Sequence, residues 1–185
     1  MIQKIFHFFI DTLQTILVAA AAFLVIYAFL FRPFQVNGLS MYPTFDNGEN
    51  ILTNLVVLRF AKPQKGDVIV FKAPIDAEKD FIKRVMGLAG DTVMLSEGKV
   101  YINGKLLNES AYLGSQVQTN GGAFLQNGKT VTVPPNSYFV MGDNREFSSD
   151  SREWGFVPKD NVIGESWIVY WPLNKLQIVK NPFAN

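Results

Sequence analysis

From Thr12 to Phe31 the chain runs TLQTILVAAAAFLVIYAFLF, with no charged residue and Gln14 as its only strongly polar side chain. Rising about 1.5 Å per residue, a helix of this length reaches about 30 Å, the thickness of a bilayer's hydrocarbon core. The pattern predicts a membrane-spanning helix over residues 12–31, with residues 1–11 on its N-terminal side. A buried helix of a soluble core would show one polar face, and none is visible here. A cleaved leader would end its apolar run after roughly 7–15 residues at a small-residue site, whereas Ala19 to Ala22 are followed by bulky apolar residues as far as Phe31. The flanking charges, Lys4 and Asp11 before the span and Arg32 after it, only slightly favour an N-terminus on the inside.

Beyond Pro33 the period changes to short β-prone runs separated by turn signals: ENILTNLVV, GDVIVFKA, DFIKRVMG, DTVMLSEG, KVYING, KTVTVPP, SYFVMGDN and SWIVYW. Asn103-Gly104 and Asn127-Gly128 are hairpin dipeptides, because both residues accept the positive φ angles of tight turns. Residues 110–126 are polar, carry Gly121-Gly122 and read as an insertion or long hairpin. The last run, SWIVYW, reads chiefly as a core strand, with an interfacial aromatic contact through Trp167, Tyr170 and Trp171 as the alternative. With no repeat or low-complexity tract in view, residues 32–185 form one all-β domain after the helix.

Charge narrows the function. Lys plus Arg number 17 against 16 Asp plus Glu, so there is no basic excess to bind nucleic acid through phosphates. Cysteine is absent, which excludes disulfides, thiolate metal sites and a cysteine nucleophile, and the only histidine is His7. His7 precedes the span, on the membrane side opposite to the β domain, so a Ser-His-Asp triad and a His/Cys zinc site are excluded there. No metal or cofactor is expected. The bases left to activate a hydroxyl are a carboxylate or a neutral lysine, and a lysine qualifies only if burial brings its pKa down from about 10.4.

Lys83 fits that requirement by position. Alternation along DFIKRVM puts Phe81, Lys83 and Val85 on one strand face, so the lysine is flanked by apolar groups. Ser40 stands in NGLSMYPTF, where Gly38 permits a tight backbone approach and Pro43 stiffens the exit. The segment GDNREFSSDSREWG, residues 142–155, concentrates Ser148, Asp150, Ser151 and Arg152 after an apolar strand. Taken singly each has a plainer reading: a snorkelling surface lysine, a serine in a turn, and a polar loop held by an Asp150–Arg152 or Asp143–Arg145 ion pair.

Together, in this order and after a membrane span, SMYPT at 40–44, KRVMGLAGD at 83–91 and GDNREFSSDSREWG at 142–155 resemble bacterial type I signal peptidases of the short, single-span form. The resemblance implies Ser40 as nucleophile and Lys83 as general base. It implies that Ser148 hydrogen-bonds and orients the lysine amine, that Asp150 and Arg152 prop the site, and that Asp143 begins the supporting loop. It also implies a cell-membrane protein with the N-terminus in the cytosol and the β domain on the outer face. Some members carry a serine two residues before the nucleophile that helps line the oxyanion hole. Here that residue is Gly38, so the hole is assigned to Ser40 and Gly38 with a second donor to be found.

The implied substrate is the cleavage region of an exported preprotein, with small residues one and three positions before the cut. Such a segment would add as a strand beside residues 34–39 and 80–83, aiming Phe34, Val36 and Ile82 at shallow pockets, with Asn37 and Met41 counted as further contacts. Two rivals stand beside this reading. Self-cleaving repressor-type peptidases share the Ser-Lys chemistry but are soluble and carry a DNA-binding segment. A catalytically silent, membrane-anchored assembly module would have lost the serine or the lysine, and this chain keeps both.

Overall fold

The computed structural model describes residues 2–56 and 61–184. Val57, the last residue of the run predicted at 49–57, and residues 1 and 185 lie outside the described residues. Helix α1 runs Ile2–Leu30, and its segment Gln3–Val25, with a mean hydropathy of 2.0, is long and apolar enough to cross a membrane. The helix begins well before Thr12, because Ile5, Phe6, Phe8 and Phe9 extend the apolar surface toward the N-terminus. Phe31, predicted as the end of the span, instead opens the first strand. Phe8, Phe23 and Phe29 stand exposed, as side chains that face lipid would.

The rest is antiparallel β structure. The strands are β1 Phe31–Gln35, β2 Asn50–Asn54, β3 Val68–Ala73, β4 Asp76–Gly87, β5 Thr92–Ser96 and β6 Lys99–Ile102. They continue as β7 Lys105–Leu106, β8 Thr130–Thr132, β9 Ser137–Met141, β10 Val157–Pro158, β11 Val162–Trp171 and β12 Gln177–Ile178, with a short helix α2 at Ser151–Trp154. The larger sheet has the order β1-β2-β11-β3-β4-β9-β10, with β12 on β11, and the smaller has the order β7-β6-β5-β8. Each β-prone run predicted from the pattern supplies one strand of these sheets. Alternation accounts for the small sheet's buried face: Val93, Leu95, Val100 and Ile102 point inward onto Met86, Phe139 and Met141.

Two predicted turns part ways. Asn103 and Gly104, at φ 52° and 73°, close the β6–β7 hairpin as expected. Asn127-Gly128 closes only a local turn, Lys129 N–H donating to Gln126 O at 3.1 Å, because residues 107–129 contain no strand to pair with β8. The segment 110–126 instead folds as turns held down by buried Leu113, Thr119 and Leu125.

The core reading of SWIVYW fails for its aromatics. Trp167, Tyr170 and Trp171 are exposed while Val169 is fully buried. Register shifts between Ser166 and Ile168 and again between Val169 and Trp171 break the alternation on which that reading relied. Trp167 stacks on Phe31 at 5.3 Å between ring centroids, directly after α1.

Strand pairing leaves one opening. Among the described residues β1 pairs only with β2, and β9 covers β4 only over Arg84–Gly87, so the earlier part of β4 keeps a free edge there. Residues 33–37 and 79–83 together line one groove of about 680 Å³.

Candidate active site

Ser40 sits in the connection between β1 and β2. The base of this connection is clamped by Val36 N–H donating to Glu49 O and Gly48 N–H donating to Val36 O, both at 2.8 Å. Met41 and Phe45 are buried in the core next to Ile51, Val68 and Val70, which fixes the turn that carries Ser40. Met41, expected to touch substrate, is therefore a core anchor and does not line the groove: in this turn its side chain goes inward as Ser40 faces out. Phe34, Val36, Asn37 and Ile82 do line it, together with Ser40 and Lys83.

Gly38, at φ 98°, takes a conformation that costs an L side chain dearly. Its N–H donates to Asn47 Oδ1 at 2.7 Å, so that N–H is spent inside the turn and is not free for an oxyanion. The Ser40 N–H donates to no group among the described residues.

Lys83 projects from β4 into the same place. Its Nζ donates to Ser40 Oγ at 2.8 Å and to Ile82 O at 2.9 Å. The predicted apolar flank is present, with Nζ 5.1 Å from the centroid of the Phe81 ring. The residue is only 4 % exposed, and this desolvation pushes the amine's pKa down to about 8, against the opposing pull of Asp150 and Asp143. A lysine in this state is a competent base near neutral to mildly alkaline pH.

Arg84, the next residue, points into a different environment. Its guanidinium forks onto Asp143 through Nε–Oδ1 at 2.8 Å and Nη2–Oδ2 at 2.7 Å, donates to Gly66 O at 2.7 Å, and lies 4.3 Å from the Tyr112 ring centroid. Thr44 Oγ1 donates to the same carboxylate, which ties the Ser40 turn, β4 and the 142–155 loop together. Arg84 and Thr44 lay inside the quoted motifs without an assigned role. The signal for Arg84 was an arginine in an otherwise apolar strand, which must be paired if buried.

The suggested Asp143–Arg145 pair does not form. Asp143 is occupied by Arg84, and Arg145 pairs with Glu109 and donates to Thr119 Oγ1 at 2.6 Å. The Asp150–Arg152 pair does form: Nε meets Oδ1 and Nη2 meets Oδ2, both at 2.8 Å, with Asp150 capping α2 and accepting from Gly142 N–H at 3.0 Å.

Ser148 lies at the site, but Nζ of Lys83 is bonded to Ser40 and Ile82, and the buried Ser148 hydroxyl has no hydrogen-bond partner among the described residues. Gly142 makes its placement possible. A Cβ built there would stand 2.2 Å from Ser148 Oγ and 2.4 Å from Ser40 O. His7 lies on α1, exposed and remote from these groups in the fold, and the described residues hold no group of His, Cys, Asp and Glu able to bind a metal.

The chain is 31% identical over 186 residues to signal peptidase IB of Staphylococcus aureus, covering 93% of this chain and 96% of that protein. It is 35% identical over 168 residues to signal peptidase I S of Bacillus subtilis, covering 89% and 90%. A crystal structure of a signal peptidase I from Enterococcus faecalis matches at 34% identity and a TM-score of 0.47, over 56% of this chain and 96% of that one. The family model described as signal peptidase, peptidase S26, matches residues 9–171, which takes in Ser40, Lys83 and the whole 142–155 loop, and the chain belongs to that family.

Proposed function

We propose that the chain is a type I signal peptidase that removes N-terminal signal peptides from exported preproteins, with Ser40 as nucleophile and Lys83 as general base. The observation that carries the assignment is the 2.8 Å contact between Lys83 Nζ and Ser40 Oγ around a lysine that burial holds near pKa 8.

In the neutral lysine the same contact runs the other way, with the Ser40 O–H donating to Nζ. The amine takes the proton as Oγ attacks the scissile carbonyl, and the Ser40 N–H is aimed to stabilise the oxyanion. The proton then passes to the leaving nitrogen, and a water hydrolyses the acyl-enzyme with Lys83 again as base. No cofactor enters the cycle. Ser148 has the role of receiving the ammonium formed during attack and steadying its orientation, which would partner its otherwise orphaned hydroxyl.

The groove supports an extended substrate. Free strand edges on β1 and early β4 offer backbone groups to a peptide lying between them. Its floor is made of Val36, Ile51, Val70 and Ile82, side chains that leave shallow apolar room suited to alanine-sized residues one and three positions before the cut. Helix α1 anchors the enzyme in the cell membrane with its N-terminus cytosolic and its β domain outside. The exposed Trp167, Tyr170 and Trp171 then sit at the bilayer interface beside Phe31. Anchoring raises the effective concentration of enzyme and membrane-borne substrate.

The test is cleavage of a preprotein by the detergent-solubilised wild type, Ser40→Ala and Lys83→Ala, with circular dichroism to verify folding. Loss of cleavage in both folded variants supports the dyad, and cleavage retained by either one removes it. An inactive wild type would favour the silent assembly module.

A further inference from the structure

Apart from Asp143, the Arg84 guanidinium meets three groups: Gly66 O, Thr44 Oγ1 at 3.2 Å and the face of the Tyr112 ring. The segment that follows β11 reaches the surroundings of all three. Gln177 Nε2 donates to Thr44 O at 3.3 Å. Asn181 Nδ2 donates to Lys65 O at 2.8 Å and to Asp67 Oδ1 at 2.6 Å, one on either side of Gly66. Phe183 meets Tyr112 edge to face, with 5.9 Å between ring centroids. Between these contacts the segment is fastened to β11 by β12 and by Val179 N–H donating to Trp167 O at 2.9 Å.

The segment also holds the base of the connection that carries Ser40. A 3₁₀ turn at Leu173–Lys175 brings Lys175 against Asp46 and, at 3.6 Å, against Glu49. Glu49 is buried, and among the described residues Lys175 is its only ion-pair partner. The same glutamate closes the connection: its O accepts from Val36 N–H, its N–H donates to Asp46 O at 3.3 Å, and its carboxylate accepts from Asp46 N–H at 3.1 Å. A buried carboxylate that loses its cation is strongly penalised, so Glu49 is expected to shift toward water when Lys175 is removed.

We propose that residues 175–183 form a strap that positions the Ser40 turn for catalysis, with Lys175 and Asn181 as its positioning residues. This inference rests on the reading of Ser40 as nucleophile. Lys175 acts directly on the base of the turn through Asp46 and Glu49. Asn181 acts through the Gly66 turn, whose carbonyl holds Arg84, which in turn holds Asp143 and Thr44.

Two features make the strap a matter of position and not of substrate contact. Residues 36–49 contain turns and no strand or regular helix, so the place of Ser40 depends on what packs against that connection. None of residues 173–183 lines the β1–β4 groove, so loosening the strap takes away no groove contact. The fit at Gly66 is close: a Cβ built there would stand 2.2 Å from Asn181 Oδ1 and 2.8 Å from Phe183 Cδ2. Displacing a nucleophile by about 1 Å costs on the order of a hundredfold in rate, so a partial loosening falls short of that.

The experiment uses the full-length detergent-solubilised enzyme and a peptide that spans a preprotein cleavage site. It measures kcat and KM for the wild type, Lys175→Ala, Lys175→Arg, Asn181→Ala and Lys180→Ala, together with amide hydrogen exchange. Lys180 lies on the same strap, and its ammonium makes no hydrogen bond or ion pair among the described residues, so it controls for loss of charge alone. The expected result is a kcat about tenfold lower in Lys175→Ala and about fivefold lower in Asn181→Ala, with KM within about twofold of wild type. Lys175→Arg restores kcat to within about twofold, and Lys180→Ala leaves it unchanged. Exchange in Lys175→Ala rises at the Val36 and Gly48 amides and stays at its wild-type rate in β5 and β6. The proposal is overturned by a wild-type kcat in Lys175→Ala, by a loss that falls on KM, by an equal loss in Lys180→Ala, or by exchange that rises equally in β5 and β6. If Asn181→Ala does not fold, the surface variant Lys175→Ala decides by itself. Each of these outcomes leaves the dyad standing, whereas cleavage retained by Ser40→Ala would remove the nucleophile assignment and this proposal with it.

Discussion

Lys83 and Arg84 are adjacent on β4 and both buried, yet only the arginine has a carboxylate. Arg84 forks onto Asp143, whereas Lys83 makes no ion pair among the described residues and meets Ser40 and a backbone carbonyl instead. The strand thus delivers a paired cation to the scaffold and an unpaired amine to the groove. Alternation separates the two by pointing them at different surroundings.

That difference predicts the pH profile. Only neutral Lys83 can accept the Ser40 proton, so kcat/KM should rise with pH, be half-maximal near 8, and at pH 6 lie about a hundredfold below its plateau. A profile flat between about pH 6 and 9 would contradict the assignment. The sign for stability follows from the folded pKa of about 8 lying below the ordinary 10.5. Below pH 8 the folded state carries the full penalty of a buried ammonium, and the penalty disappears as pH rises toward 10.5. Lys83→Met should accordingly be inactive but more stable at pH 7, by about 3 kcal/mol in urea unfolding.

The Arg84–Asp143 pair should behave as a unit. Arg84→Leu strands a buried carboxylate and should cost about 3–5 kcal/mol. The double variant Arg84→Leu/Asp143→Leu should recover most of that loss, measured as a coupling energy by denaturant unfolding. Additive losses would mean that the two side chains do not depend on each other.

Gly142→Ala tests the crowding at the site. The added methyl meets Ser148 and the Ser40 carbonyl at 2.5 Å or less, and the carbonyl is backbone that cannot swing aside. Stability should fall by about 1–3 kcal/mol and, if Ser40 is the proposed nucleophile, kcat by about a hundredfold or more, since Ser40 moves with its carbonyl. Normal turnover would show that the turn yields freely.

Asn47 braces the turn that carries Ser40, through the 2.7 Å bond that it accepts from Gly38 N–H. Asn47→Ala should lower kcat by about tenfold with little change in KM, at a cost of about 1 kcal/mol of stability. Asn47→Asp keeps the acceptor and should restore most of the rate. A loss of equal size in both variants would point to some other role for the side chain.

How legible the site was depended on the distance over which each residue's role is decided. Ser40 and Lys83 stand in short motifs whose local order survives folding, so their candidacy could be read directly, and the lack of histidine after His7 narrowed the base to lysine or carboxylate. Asp150 and Arg152, two residues apart, also met as their spacing suggested. Asp143 and Arg145 share that spacing and did not meet, because Arg84 arrives from another strand to take the carboxylate. Ser148 reached the site without the bond to Lys83 that the resemblance implied.

Local periodicity by itself determined the apolar helix and the β runs, because burial on one strand face or all around a helix is written in nearest neighbours. Tertiary structure decided what depends on distant partners. The shifts in β11 turned Trp167, Tyr170 and Trp171 outward, and Met41 went into the core while Ser40 stayed at the groove. The segment 110–126 found its anchors in Arg145 and Arg152 rather than in a strand partner. Lysine basicity belongs with these: the side chain is the same on any surface, and only burial beside Phe81 removes the water that would hold its pKa near 10.5.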